Sequence, residues 1–417
     1  MKKSGKKNIP PRGAWIHSTR LDLILYSMLL VATPMVMIRN FLQQAITSLS
    51  GLSFTVVGVT LPLVLSIVVF AGLAVLIWKF RSVTWRHILA AAIVLLMDAV
   101  AQQFADFYSD QRFYDLQQNW HYVAYGSFAA VVYRDLAPRG VPLHRIIILT
   151  IGLAFAMSTF DEWFQRYINT RVFDISDIAK DGYGAVAGTV VLALCSRRWP
   201  EFLSDRRLRF PRLRDYFRHA FSALILLGTF SFLLMNTAAL LSDREYFFTA
   251  VLLAVAAFLL FWMILHLSQF TVPRYLMLGL LVAGIVTQGY FYLRHRHDDI
   301  VYHRFGLTVY KGIPLPYFDV LIRSDGSFRL VDKKHNFLFA DHRFFFRQKP
   351  DILLIGSGEY GQGGNGFPTR RLSQFMYNVE RGGGVQVVIL TTPEACKMFN
   401  RLTKESKNVL FVLHNTC

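Results

Sequence analysis

Apolar residues run along this chain in blocks of about twenty, the length a helix needs to cross the hydrocarbon core of a bilayer. Such blocks fall at residues 21–38, 58–78, 88–104, 120–133, 146–164, 175–195, 219–241, 246–267 and 275–293, which predicts about nine spans. The fourth block is short and the sixth carries acids. From about residue 298 the pattern shortens and begins to alternate. There "YFDVLIRSDGSFRLVD" reads as strand, Asp-Gly turn, strand, and "PDILLIG" as a buried strand. Residues 370–381 fit a helix, "GVQVVILTT" a strand, residues 393–404 a second helix, and "NVLFVL" a closing strand. The expected fold is an α-helical polytopic membrane bundle followed by a small C-terminal α/β domain with at least partly parallel strands.

Composition supports this. At 53% hydrophobic residues and a mean hydropathy of +0.35, the chain is too apolar for an ordinary soluble enzyme. Its net charge of +18 sits mostly between the spans, at 79–86, 134–145 and most densely at 197–218, "RRWPEFLSDRRLRFPRLRDYFR". Cytoplasmic loops collect Lys and Arg in this way, so nucleic acid is not expected as a partner. The same rule places residues 1–20, "MKKSGKKNIPPRGAWIHSTR", in the cytoplasm as a basic tail. No cleavage-site pattern follows the first apolar block, which therefore reads as an uncleaved anchor. The segment 161–174 then falls at the outer face. With nine spans the C-terminal domain lies outside, whereas Arg294, Arg296, Arg304 and Lys311 after the last span argue for inside. The outer side is the preferred reading. Three cysteines, Cys195, Cys396 and Cys417, make neither a metal spacing nor a disulfide framework. The expected organisation is a tail (1–20), two N-terminal spans (21–87), a four-span module (88–198), a basic loop (199–218), three further spans (219–293) and a soluble α/β domain (298–417).

The chemistry concentrates in "DEWFQRYINTRVFDISDIAKDGYGAVAG", residues 161–188. Asp174, Asp177, Asp181, Gly184 and Gly188 recur at steps of three and four, which makes one face of a helix. Its upper part is carboxylate, and its lower part is a small-x-x-x-small pattern that lets another backbone approach closely. On the preceding helix Asp161 and Gln165 share one side, with Glu162 and Arg166 on the next; Arg171 in the connecting turn is within reach of either group. Acids cost about 2.5–3.5 kcal/mol each at the centre of a span, so they call for a polar pocket in which Arg171 offsets part of their charge. The alternative is that they lie in the headgroup region, where charge is cheap, and merely orient the helices.

These residues resemble the signature of the VanZ-like family: Asp161-Glu162-x-x-Gln165, then Arg171, then Asp174-x-x-Asp177, then a polar residue at 181 and Gly184-x-x-x-Gly188. A His and Tyr four apart earlier in that family's module are matched by His121 and Tyr125 in "NWHYVAYG". The likeness covers roughly residues 88–198. The family usually has Asn where this chain has Asp181, which adds a charge. The family's namesake lowers susceptibility to the glycopeptide teicoplanin, and no catalytic mechanism follows from the resemblance. Read without it, His121 is equally a core or interfacial histidine bonded to a neighbouring helix.

In the C-terminal part, "DILLIGSGEYGQGGNGFP" contains Gly356-x-Gly358-x-x-Gly361 after a strand. A dinucleotide site would need a helix opening at the last glycine and an acid ending the next strand. The sequence offers neither. Pro350, Asp351, Gly356, Gly358, Thr392, Ala395, Cys396, Asn400 and Leu402 instead resemble the pattern of a small α/β family across about residues 307–413. Its members include archaeal proteins of unknown function and a mitochondrial assembly factor of respiratory complex I. The segment Glu405-Ser406-Lys407 keeps that pattern only in part. The resemblance implies binding or assembly. Cys396 at a helix start reads either as a thiol of lowered pKa or, the favoured alternative, as a small packed residue.

Together these readings lead to a bacterial inner-membrane protein that binds an envelope-associated ligand, lipid-linked or glycopeptide-like, in a polar pocket at the outer face. Its expected partners are membrane lipids, that ligand, and a protein partner of the α/β domain. Two rivals stay open: a membrane enzyme using the carboxylates with His121, for which no complete metal-ligand set is present, and an anchored assembly protein. Neither a cofactor nor a reaction is named by the residues.

Overall fold

The computed structural model describes residues 19–36, 48–49, 52–56, 59–63, 66–67, 70, 83–104, 107–108, 116–167, 173–204, 206–367, 373–378 and 383–416. In chain order the helices are α1 (Thr19–Val36), α2 (Trp85–Gln103), α3 (Leu116–Leu136), α4 (Leu143–Gln165), α5 (Ile175–Cys195), α6 (Trp199–Ser204), α7 (Ala220–Leu240), α8 (Phe247–Leu267), α9 (Thr271–His295), α10 (Phe339–Arg347) and α11 (Thr392–Lys404). The strands are β1 (Ser53–Val56), β2 (Val59–Pro62), β3 (Ile300–Arg304), β4 (Leu307–Tyr310), β5 (Ile313–Pro316), β6 (Asp319–Ile322), β7 (Phe328–Val331), β8 (Ile352–Gly356), β9 (Ser373–Asn378), β10 (Gly383–Leu390) and β11 (Val409–Leu413).

Among the described residues, six helices are long and apolar enough to cross a membrane: α2, α4, α5, α7, α8 with the turn before it, and α9. No residue of α9 is buried. A bilayer accounts for that exposure, and water does not. The expected count of about nine is not supported. The first and fourth expected spans coincide with α1 and α3, which are not among the six. In α3 the polar residues Asn119, His121, Arg134 and Asp135 dilute the apolar run. The second expected span, 58–78, lies mostly outside the described residues, and Val59–Pro62 at its start forms an antiparallel hairpin with β1.

The chain divides into two compact units. The first comprises Met1–Met97 and Tyr114–Phe232, and the second comprises Asp98–Phe113 and Leu233–Cys417. In the first unit α1, α3, α4 and α5 share a core built from Leu30, Tyr125, Phe128, Ala154 and Ala185. The N-terminus of α4 lacks a side-chain cap of its own, and Glu201 of α6 supplies one by accepting from Leu143 N at 3.1 Å.

In the second unit a six-stranded sheet has the order β7-β6-β11-β8-β10-β9. Strand β8 runs parallel to both β10 and β11, and the other pairs are antiparallel. The strands β8 and β11 are buried along their whole length, as expected where both faces of a sheet are covered. Leu353 and Ile355 face one cluster with Phe344 and Phe345 of α10, while Ile352 and Leu354 face another with Ala395 and Phe399 of α11. A separate three-stranded antiparallel sheet is formed by β3, β4 and β5. The helix expected over residues 370–381 is corrected: Ser373–Asn378 is an edge strand pairing with β10. The unpaired edge of β10, from Gly383 to Val388, offers it a full hydrogen-bonded ladder, and its alternating exposure suits an edge strand. Among the described residues no helix opens at the end of the Gly356–Gly361 motif, and the next element is β9.

Candidate functional site

Helix α5 begins at Asp174, whose side chain accepts from Ser176 N at 2.7 Å as an N-cap. Beyond this cap the 3-4 spacing carries Asp177, Asp181, Gly184 and Gly188 toward α3. The glycines set how near α3 can come. A Cβ at Gly184 would lie 2.8 Å from Tyr122 Cα, and one at Gly188 would lie 2.7 Å from Gly126 Cα. Such an approach excludes any side chain there.

That contact delivers His121 to the acids. Its Nδ1 lies 2.8 Å from Asp181 Oδ1 and its Nε2 lies 3.7 Å from Asp177 Oδ1. On the third side α4 adds Ser158, whose hydroxyl donates to Asp181 Oδ2 at 2.6 Å. Lys180 Nζ lies 3.0 Å from Asp177 Oδ1. The result is a continuous polar chain, Ser158–Asp181–His121–Asp177–Lys180, with Asp181 only 2% exposed.

A second linked group joins the end of α4 to the start of α5. Glu162, also buried, accepts from Gln165 Nε2 at 2.6 Å and from Asp174 N at 2.8 Å. Asp161 is half-buried, and its Oδ1 has no hydrogen-bond partner. Tyr125 lies one turn beyond His121, 4% exposed and within electrostatic reach of Asp161 and Asp181, and its hydroxyl, with Ser158 beside it, makes no hydrogen bond within 3.5 Å. Arg171, the cation expected to balance these acids, lies outside the described residues, and Arg166 is exposed.

Of the residues singled out in the sequence, His121, Asp177 and Asp181 thus come into direct contact, and Glu162, Gln165 and Asp174 form a separate ion-and-cap network. Gln165 bonds Glu162 and also lies within reach of Asp161, with which it shares a side of α4. Three contributors were missed. Lys180 stands three residues after Asp177, a readable helical pairing. Ser158 and Gly126 carried no local signal, because their roles exist only once three helices meet. The hydroxyl of Ser158 binds a carboxylate and not the imidazole, so the order of a nucleophilic triad is not present. Among the described residues no group of three His, Cys, Asp or Glu is arranged to hold a metal ion. The arrangement can accept hydrogen bonds and cationic groups.

The second unit holds its own buried charges. Asp319 Oδ2 lies 2.6 Å from His414 Nδ1, and its Oδ1 lies 3.2 Å from Lys333 Nζ and accepts from Asn415 N at 3.0 Å. Burial opposes charge on Asp319, but the His414 imidazole and the Lys333 ammonium outweigh it and hold the carboxyl below its usual range. Lys333 also donates to Tyr317 O at 2.9 Å and to the Thr416 hydroxyl. Cys396 is packed at 4% exposure in α11, and burial pushes its thiol up to about 12. The reactive-thiol reading of this residue is therefore set aside.

The fold defines a helical membrane protein that carries a C-terminal α/β region. No family model matches this chain, and none of the curated proteins matches it. A solved structure titled MT938 is similar at 22% identity, covering 28% of this chain and 98% of that chain, with a TM-score of 0.23. A likeness of that size carries no argument about the site.

Proposed function

We propose that this is a VanZ-like protein of the bacterial inner membrane, and that it binds an envelope-associated ligand, lipid-linked or glycopeptide-like, at the outer ends of α3, α4 and α5. Ligand capture there would alter susceptibility to glycopeptides. In this reading the N-terminus is cytoplasmic, residues 88–198 form the binding module, and the α/β region from about residue 298 recruits a protein partner. The observation that carries the reading is the polar chain through His121, set among apolar helices, with the Tyr125 hydroxyl and Asp161 Oδ1 beside it unpartnered. Polar groups inside a membrane are expensive, and a site that keeps some of them unsatisfied is suited to a ligand that completes them. Acceptors outnumber cations among the described residues, which favours a ligand bearing hydroxyl, amide or amine donors.

The test is mass spectrometry of lipids and glycoconjugates that copurify with the full-length protein. The wild type should retain an envelope component that His121→Ala loses by about tenfold, the equivalent of one charge-assisted hydrogen bond. Asp181→Asn, which restores the residue usual in the family, should keep it. Identical extracts from wild type and His121→Ala at equal membrane abundance would remove the proposal.

A further inference from the structure

The C-terminal region contains an open cleft of about 500 Å³, within the range that small ligands occupy. Three turns build it. The β4–β5 turn contributes Lys311, the β6–β7 turn Arg323 and Asp325, and the α11–β11 turn Ser406 and Lys407. The two carboxylates in the lining are already engaged. Asp299 Oδ2 accepts from the Thr403 hydroxyl at 2.6 Å, and Asp325 Oδ1 accepts from Ser327 N at 2.8 Å. Asp325 lies within electrostatic reach of Arg323, and among the described residues neither Lys311 nor Lys407 makes a salt bridge.

The backbone singles out the same place. Lys311 and Ser406 hold φ values of 50° and 55°, left-handed conformations that favour glycine. Each costs about 1 kcal/mol or more and persists only where the surrounding structure imposes it. Two of the four such non-glycine residues among those described therefore line this one cleft.

Its position follows from α9. Gln288 Nε2 donates to Gly312 O at 3.0 Å, and a Cβ at Gly312 would lie 2.8 Å from the carbonyl carbon of Phe291. The turn bearing Lys311 is thus fastened to the last turns of a candidate span. Those turns carry exposed Tyr290, Phe291 and Tyr292, followed by Arg294. Aromatic and then basic residues mark where a span meets the headgroup layer. The β4–β5 turn sits at that level.

We propose that Lys311, Arg323 and Lys407 form a site for a phosphate group of net negative charge at the membrane surface. Arg323 brings a planar fork suited to two phosphate oxygens, and the lysines add point charges. The same chemistry is offered by the phosphodiester of an anionic lipid and by a soluble phosphate ester.

Native mass spectrometry of the delipidated, detergent-solubilised full chain can separate these sources, using phosphatidylglycerol, phosphatidylcholine and glycerol phosphate as probes. The wild type should bind phosphatidylglycerol about tenfold more tightly than phosphatidylcholine, and the triple variant Lys311→Gln, Arg323→Gln, Lys407→Gln should lose that preference. The variant Arg294→Gln, Arg296→Gln, altered outside the cleft, should retain it. Competition by millimolar glycerol phosphate would extend the site to soluble esters, and its failure to compete would confine the site to lipid. Lys407 is exposed on a turn, so Lys407→Gln alone preserves the fold and should weaken binding about fivefold. Equal retention of both lipids by the wild type with no binding of glycerol phosphate would overturn the proposal. So would unchanged binding in the triple variant, or an equal loss in the Arg294/Arg296 control.

Discussion

The two buried charge clusters of this protein are built from the same residue types and differ in how completely they are closed. Around Asp319 both carboxylate oxygens are occupied, by His414 on one side and by Lys333 and Asn415 on the other, and Asp319, Lys333 and His414 are all fully buried. One ring nitrogen, His414 Nε2, is left over. Around Asp181 the acids outnumber the cations among the described residues, and an unpartnered phenol and an unpartnered carboxylate oxygen lie nearby. A nearly saturated network makes a particular packing the only cheap one, and a less satisfied network is costly unless something else completes it. The first arrangement is that of a cluster that holds a fold together, and the second leaves polar groups unsatisfied.

The largest test of that contrast is Lys333→Met. It leaves Asp319 buried without its ammonium and should destabilise the C-terminal region by about 3–5 kcal/mol. Cys396, packed in the same region, reports the loss: its rate of thiol labelling, resolved by mass spectrometry, should rise sharply in the variant. The double variant Lys333→Met, Asp319→Asn should recover part of the stability, since it removes the stranded charge. Labelling at the wild-type rate in Lys333→Met would mean that the network is not structural.

A smaller effect comes from pH. The folded carboxyl of Asp319 is held below its ordinary value, so the unfolded chain binds more protons there and stability rises with pH. The contribution is fully present above the unfolded value of about 3.9 and is lost as pH falls through the folded one. Hydrogen exchange of the β11 peptide, followed from pH 5 to pH 3, should show protection falling in the wild type and a flatter profile in Asp319→Asn. Parallel profiles would break the assignment.

The smallest expected effect is on stability in Tyr125→Phe. Its hydroxyl has no partner, so deleting it should change stability by no more than about 0.5 kcal/mol while reducing retention of the copurifying ligand. A loss of stability above about 1 kcal/mol would reveal a structural partner for the phenol and erase the contrast with the Asp319 cluster.

How much of this was legible beforehand depended on whether a signal was local. The apolar blocks at 175–195 and 246–267 mark α5 and α8 closely, because length and hydropathy alone decide a span. Strands β6 to β8, β10 and β11 announced themselves by β-branched runs and an Asp-Gly turn. The region 370–381 was misread because an edge strand takes its identity from its neighbour: Ser373–Asn378 becomes a strand by pairing with β10. Lys311 and Lys407 looked like ordinary surface charges, since nothing along the chain indicates that their turns meet.

The sequence by itself determined that this chain lives in a membrane, that α5 carries acids above glycines on one face, and that an α/β region follows the last span. Those properties are set by hydrophobicity and by the 3.6-residue and two-residue periods, which act over a few neighbouring residues. Only the tertiary structure decided that Asp174 caps a helix while Asp181 meets His121 and Ser158, and that Lys333 and His414, 81 positions apart in the numbering, share one carboxylate. Each of those outcomes depends on distances between segments remote in sequence. Such distances are fixed by packing, here by two glycines that admit the backbone of α3 and by a sheet covered on both faces.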